Sequence, residues 1–320
     1  MKAIRVHQFG APSVLEVQTV EDPMPGPNEV LVRVEAAGVN PVDTYIRSGQ
    51  YGRLPELPFT PGFDGAGRVE AVGPDVTRFA PDDRVYLTGS RTGTAAELAI
   101  AAEAQVHALP GNVTGEQGAA IGIPYVTAYR ALFQLAEAEA GETVLVHGAS
   151  GGVGLAAVQL AADAGLTVVG TAGSEEGRKL VAEQGAVHVL DHGAEGYLEE
   201  VKALNGGEGV NVVLEMLANQ NLSGDLQVLA PFGRVIIIGS RGAVEIDPRH
   251  LMLGDATVRG MLVFNASDEE LNRIHEQLFS LLSEGRISPV VGRRFPLEEA
   301  PEAHRVQMEE PALGKIILLP

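Results

Sequence analysis

The chain has 320 residues, 45% of them hydrophobic, enough for a sizeable core and, by length, for about two domains. It carries 23 Lys and Arg against 42 Asp and Glu, a net charge of −19 that opposes binding to nucleic-acid phosphates and anionic membranes. It contains no cysteine, which excludes disulfides, thiolate nucleophiles and zinc sites built on sulfur.

No apolar stretch approaches ~18 residues, and Met1-Lys2-Ala3-Ile4-Arg5 runs into a polar alternating strand. No membrane span or secretory segment is expected, and the expected address is the cytoplasm. Residues 1–118 read as an antiparallel β domain. Ile4 and Val6 alternate with Arg5 and His7, Val30 to Val34 alternates again, and Pro23-Met24-Pro25-Gly26-Pro27 turns between such runs. No long amphipathic helix is expected before Thr114, so Asn40 and Tyr45 read as loop residues. Thr114-Gly115-Glu116-Gln117 has the spacing of a capping box and opens a helical segment from Ala119 to Leu132, interrupted at Pro124. That segment would bridge two domains.

Residues 119–262 carry the densest pattern. Thr143 to Val146 is a short β-branched run, a glycine cluster comes next, and Leu155, Val158, Gln159 and Ala162 then recur at helical spacing. Gly151 and Gly154 fit the second and third glycines of G-x-G-x-x-G, with Ala149 in the first place. Glycines alone would equally serve a tight strand-to-helix connection. The chain beyond the turn favours a dinucleotide fold: apolar runs at Val168-Val169, Val187 to Val189, Val210 to Leu214 and Val235 to Ile238 alternate with helical patterns at 175–184, 195–204 and 221–230. The expected class is α/β, a Rossmann doubly wound parallel sheet.

Residues 263–320 open on a second capping box, Ser267-Asp268-Glu269-Glu270, with Leu271, Ile274, Leu278, Leu281 and Leu282 on one helical face ending near Gly285. Short β-like runs come after it at Val290-Val291 and Ile316 to Leu319, so this segment is expected to return to the first domain.

Four strings carry a family likeness: Ala37-Gly38-Val39-Asn40-Pro41-Val42-Asp43-Thr44-Tyr45-Ile46-Arg47-Ser48-Gly49, Val146-His147-Gly148-Ala149-Ser150-Gly151-Gly152-Val153-Gly154, Glu215-Met216-Leu217-Ala218-Asn219 and Gly239-Ser240-Arg241-Gly242. The sequence resembles the zeta-crystallin type of NADPH:quinone oxidoreductases, in the medium-chain dehydrogenase/reductase superfamily. The resemblance implies that the Rossmann domain is inserted in a β-rich GroES-like domain, and that the protein is a homodimer or homotetramer, through the edge of the Rossmann sheet.

Zinc-dependent members of that superfamily have a cysteine ligand where this chain has Asn40, and Gly-His-Glu where it has Gly62-Phe63-Asp64. An amide and a phenyl ring cannot act as a Lewis acid, so no metal is expected and the acceptor must already be electrophilic. A small hydrophobic quinone or enone qualifies, since hydrogen-bond donors can stabilise charge on its distant oxygen. The resemblance assigns Tyr45 and Asn40 to that catalytic role, Tyr45 also touching cofactor; outside the matched string both would be ordinary turn residues.

For cofactor, an NAD binder normally has an acidic side chain at the end of the second Rossmann strand. Here Thr171-Ala172-Gly173-Ser174 is neutral and small, which favours NADPH. Arg178 and Lys179 lie just beyond, although with Glu175 and Glu176 they also read as a solvated first helical turn. The cofactor set expected from the glycine turn, the strand ends and the resemblance is Tyr45, Ser150, Gly151, Gly152, Val153, Gly154, Gly173, Arg178, His192, Asn221, Ile238, Gly239, Ser240, Arg241, Met261, Leu262 and Val263. Two other functions fit the same residues: NADPH-dependent reduction of enal or enone double bonds, and a crystallin-like protein that holds NADPH with little turnover.

Overall fold

The computed structural model describes residues 1–311 and 313–320 and divides into two units, Met1–Ile123 with His275–Pro320, and Pro124–Ile274. In chain order the first unit holds β1 (Lys2–Val6), β2 (Leu15–Thr19), β3 (Glu29–Val39), α1 (Pro41–Ser48), β4 (Asp64–Val72), β5 (Arg84–Thr88), β6 (Leu98–Ala102), β7 (Val106–Ala108) and α2 (Gly115–Gly118). Then α3 (Gly122–Tyr129) leads into the second unit. That unit runs β8 (Thr143–Val146), α4 (Gly152–Asp163), β9 (Thr167–Thr171), α5 (Glu175–Glu183), β10 (His188–Leu190), α6 (Tyr197–Ala203), β11 (Val210–Glu215), α7 (Ala218–Val228), β12 (Leu229–Ile237), α8 (Pro248–Gly254) and β13 (Thr257–Gly260). Finally α9 (Asp268–Ser283) returns the chain to the first unit, which β14 (Val291–Pro296), α10 (Ala300–Glu309) and β15 (Lys315–Leu319) complete.

The first unit is built on a seven-stranded sheet in the order β14-β15-β3-β4-β5-β7, with β6 also paired to β3, and a separate β1-β2 hairpin. Along β3, Val30, Val32 and Val34 are buried while Arg33 and Glu35 are exposed, the alternation of a strand with one wet face. From Ala36 to Val39 every residue is buried, because β15 joins that end, Ile316 against Val39. The core gathers Ile4, Val30, Val32, Val34, Val69 and Leu318, side chains whose burial contributes roughly 1.5–3 kcal/mol each.

In the second unit the sheet is six-stranded and parallel, in the order β10-β9-β8-β11-β12-β13. Numbered from β8 this is 3-2-1-4-5-6, the doubly wound Rossmann order. Val144, Leu145, Val146, Val168, Val169, Val212, Val213 and Leu214 are fully buried, as continuous apolar runs must be when helices cover both faces of a sheet. Among the buried residues of α4 one is polar, Gln159, which accepts from the Tyr125 hydroxyl at 2.7 Å and donates to Gln184 at 2.6 Å.

The units divide at 123/124 and 274/275, against the expected 118/119 and 262/263. Two hydrogen bonds explain the difference. The Ile123 N–H donates to Asp64 Oδ1 at 2.7 Å, which keeps the end of that segment with the first unit. The Tyr86 hydroxyl meets His275 Nδ1 at 2.8 Å, so the first unit takes over α9 from its third turn onward. The expected break at Pro124 is not there: Pro124 sits in the first turn of α3, where a missing N–H is harmless. The regular helix gives way at 130–135 to π turns. Three helices were not expected: α1, which turns the presumed loop at Asn40 and Tyr45 into a helix start; α8, which follows the Asp247 cap; and α10, whose Ala300, Ala303 and Val306 are buried. Among the described residues, no helix is long and apolar enough to cross a membrane.

Candidate active site

In the parallel sheet the strand order reverses between β8 and β11, where such folds bind ligands beyond the carboxyl ends of the strands. After β8 the turn His147-Gly148-Ala149-Ser150-Gly151 leads into α4, with Gly151 as N-cap in extended conformation (φ −80°, ψ 172°). A Cβ on Gly154 would drive into the Gly148 carbonyl oxygen and lie 2.6 Å from Ala149 Cα. Only glycine lets α4 close on that turn, the role of the third glycine in the motif. The first N–H groups of α4, from Gly152, Val153 and Gly154, have no intrahelical acceptor, the arrangement that suits a helix N-terminus to an anion.

At the end of β9, Ala172 is buried, Gly173 is exposed, and Ser174 caps α5 by accepting the Gly177 N–H at 3.0 Å. A Cβ on Gly173 would lie 2.9 Å from His192 Nε2, so these two expected cofactor residues adjoin. Arg178 joins them: its Nη1 reaches Asp191 Oδ2 at 2.8 Å and the Ala172 carbonyl at 3.3 Å. Its guanidinium is thus tied to the end of β10 rather than standing free in solvent.

Beyond β11, Glu215 Oε1 accepts from the Leu217 N–H and from Asn221 Nδ2 at 3.2 Å. The Ile238 and Gly239 N–H groups both reach the Glu215 carbonyl, at 2.8 and 3.2 Å. Ser240 Oγ donates to the Gly242 carbonyl at 3.0 Å, and the Arg241 N–H to Asn219 Oδ1 at 2.8 Å. Past β13, the Met261 N–H bonds the Ile237 carbonyl at 2.9 Å, Leu262 is exposed, and Val263 opens a 3₁₀ turn. All the expected cofactor residues except Tyr45 therefore lie past the carboxyl ends of the six parallel strands.

Tyr45 and Asn40 belong to the first unit. Asn40 is the N-cap of α1, Pro41 its first residue, and Asp43 Oδ2 accepts the Asn40 N–H at 2.8 Å; Gly49 closes the helix at φ +80°. Tyr45 lies on the second turn, half-buried. The Asn40 side chain is held at both ends. Its Nδ2 donates to Asp64 Oδ2 at 2.9 Å and its Oδ1 accepts from Lys315 Nζ. Lys315 also donates to Asp64 Oδ2 at 2.7 Å, and Asp64, Lys315 and Asn40 are all buried. Asn40 therefore keeps at most one N–H for any other acceptor. Burial pushes the Asp43 carboxyl up to about 7, against the opposing pull of the Asn40 hydrogen bonds and the Lys315 charge.

Lys315 bears directly on zinc. The ligand positions of zinc-dependent dehydrogenases hold an amide, a phenyl ring and a carboxylate already paired with a buried ammonium. A second cation would face the first, and the donors are not those zinc selects; these residues do not fit the metal. Sequence reasoning missed Lys315, whose only signal is one charged residue at the head of an otherwise apolar strand. It also missed Glu215 and Asp225, acidic residues that the strand and helix patterns place inside the unit.

Residues 26–122 match the alcohol dehydrogenase GroES-like domain family, and residues 152–280 the zinc-binding dehydrogenase family. Over 321 residues the chain is 49% identical to the quinone oxidoreductase of Lama guanicoe, covering 100% of this chain and 97% of that protein. It is 48% identical to the quinone oxidoreductase of Homo sapiens over 321 residues, 100% of this chain and 98% of that one. The crystal structure of Escherichia coli quinone oxidoreductase complexed with NADPH matches with a TM-score of 0.92 at 31% identity, over 100% of both chains. With full-length identity at that level and both halves of the architecture matched, the chain belongs to the zeta-crystallin-type quinone oxidoreductase family of the medium-chain dehydrogenase/reductase superfamily.

Proposed function

We propose that this protein reduces quinones with NADPH and without a metal. The observation that carries the reading is the buried Lys315 ammonium between Asn40 and Asp64, where a zinc-dependent relative would need ligands. Without a Lewis acid, the acceptor must be electrophilic on its own, and a quinone is. NADPH, when bound, supplies the hydride. The α4 N-terminus and Ser150 to Gly154 hold its pyrophosphate, and the neutral Gly173 and Ser174 admit a 2′-phosphate beside Arg178 and His192. Asn221, Ile238 to Arg241 and Met261 to Val263 supply the remaining cofactor contacts. Tyr45 donates a hydrogen bond to the acceptor oxygen as negative charge grows there, and Asn40 caps the helix that carries it.

Phe232, Met252 and Leu253 are 70%, 76% and 85% exposed on β12 and α8, and β13 is one of the sheet's two edge strands. Both features support a homo-oligomer that covers this edge. We take the cytoplasm, where NADPH is kept reduced, as its compartment.

The test is initial-rate NADPH oxidation with a quinone, an enal and an enone as acceptors, and with NADH for comparison. The quinone should be reduced fastest, and NADPH should bind at least about tenfold tighter than NADH, ~1.4 kcal/mol. Faster reduction of the enal or enone would favour a double-bond reductase. Tight NADPH binding without turnover of any acceptor would mark a cofactor-holding protein.

A further inference from the structure

Directly beneath the glycine turn lies a closed group of ionisable side chains that hydride transfer does not use. His147, the residue before Gly148, brings Nε2 within 2.8 Å of Asp225 Oδ1 and 3.6 Å of Glu215 Oε2. His147 is 2% exposed, and Glu215 and Asp225 not at all. Around them stand Thr171 from β9, whose Oγ1 is 3.5 Å from His147 Nδ1, Tyr197 from α6, its ring edge-on to the imidazole, and Asn221 from α7. Among the described residues, no Lys or Arg is paired with either carboxyl. Glu215 Oε2 and Asp225 Oδ2 are fully buried and have no hydrogen-bond partner among the described residues, although an oxygen of each carboxyl lies within 4.8 Å of the other.

Burial holds the imidazole neutral, and two carboxylates beside a neutral imidazole cannot both ionise in such a place. With a neutral imidazole the buried group would carry two negative charges, and burying uncompensated charge is prohibitive. A proton between the two carboxyls removes one charge and joins the two oxygens that lack partners. We infer that Glu215 and Asp225 share a proton beneath the dinucleotide turn, and that this shared proton makes them positioning residues for the cofactor. The inference rests on the NADPH reading of the site.

The connection to the cofactor runs through Glu215. Its Oε1 fixes the Leu217 N–H and the Asn221 amide, its main-chain carbonyl fixes residues 238 and 239, and through Asp225 its carboxyl is joined to His147 and so to the glycine turn. Three of the segments assigned to cofactor binding therefore converge on one buried residue, Glu215: one directly on its carboxyl, one on its main-chain carbonyl, and the glycine turn through Asp225 and His147. When the shared proton leaves, the like charges repel, and the relief is to draw Glu215 away from Asp225 and move Asn221 and residue 217 with it. Burial pushes both carboxyls up to about 7, the nearby carboxylate adding to the effect at Glu215, so this loss falls within the working pH range. Burial also pushes the His147 imidazole down, so it remains neutral there and does not offset the second charge.

The experiment is the NADPH dissociation constant of the full-length protein from pH 6 to 9, for wild type, Asp225→Asn, Glu215→Gln and Glu215→Ala. Titration of the cofactor's own phosphate is common to all four and cancels when profiles are compared. Wild type should bind about tenfold more weakly at high pH than at low pH. In Asp225→Asn and Glu215→Gln, the amide replaces the shared proton with a fixed N–H, and affinity should stay near the low-pH value throughout. Glu215→Ala should bind weakly at every pH, with the NADPH KM raised and kcat at saturation little changed. If Glu215→Ala does not fold, the two amide variants decide the matter alone. Amide variants that keep the wild-type pH dependence, or a wild type with none beyond the phosphate's, would overturn the inference. A wild type that binds no NADPH at any pH would instead overturn the functional reading.

Discussion

Lys315 holds the first unit's polar network, and Tyr45 is its proposed donor to the acceptor. Removing the ammonium in Lys315→Met leaves Asp64 buried with no cation, the kind of broken pair that costs about 3–5 kcal/mol. Urea unfolding should show that loss, and Lys315→Met combined with Asp64→Asn should recover much of it; full stability of the single variant would mean that the pair is not what holds Asn40. Tyr45→Phe removes the proposed donor hydroxyl and keeps the ring. Losing such a donor from a preorganised site can cost ~2.7–4 kcal/mol, but a reactive quinone leans less on it, so a loss of ~1–2 kcal/mol in kcat/KM is expected, with the NADPH dissociation constant unchanged. Equal losses in both quantities would assign Tyr45 to the cofactor, and no loss in either would make it structural. At this scale the sequence was readable where a residue type carries its own chemistry, as with Gly154 or the missing cysteines. It was silent on Lys315, because a lone lysine at a strand head says nothing about which carboxylate waits across the sheet.

The helix α1 shows how an element can be legible and still be passed over. Asn40-Pro41-Val42-Asp43 has an N-cap residue, proline at the first position and an acid at the third, and Gly49 stops the helix. Eight residues are too few to display helical periodicity, so the signals at its ends had nothing between them. The parallel strands were legible for the opposite reason: buried on both faces, each is an unbroken apolar run. Within α1, Asp43 makes a pH prediction. Its folded pKa of about 7 lies above the ordinary 3.8, so the folded state binds more protons between those values. Its contribution to stability is therefore full below about pH 4 and is lost as pH rises through about 7. Asp43→Asn should remove that component, and thermal unfolding from pH 4 to 8 should show a flatter profile than wild type. An unchanged slope would mean that Asp43 ionises normally.

Across the whole chain, the sequence order of β domain, Rossmann insert and returning tail matches the architecture, because hydrophobic period changes from two to continuous runs and back. In the tail, helix α10 was not readable, since small alanines at its buried positions make a weak apolar stripe. Spatial order within the sheets, and the division of α9 between two units, depend on long-range pairs such as Tyr86 with His275 that no local pattern announces. The central claim belongs to this scale, because it joins the dinucleotide fold of one unit to the metal-excluding network of the other: the protein reduces quinones with NADPH and no metal. The direct measurement is the rate of quinone-dependent NADPH oxidation before and after exhaustive chelation, with metal content determined on the same sample. An unchanged rate, with metal far below one ion per chain, is the predicted result; loss of activity on chelation and its return with zinc would contradict it.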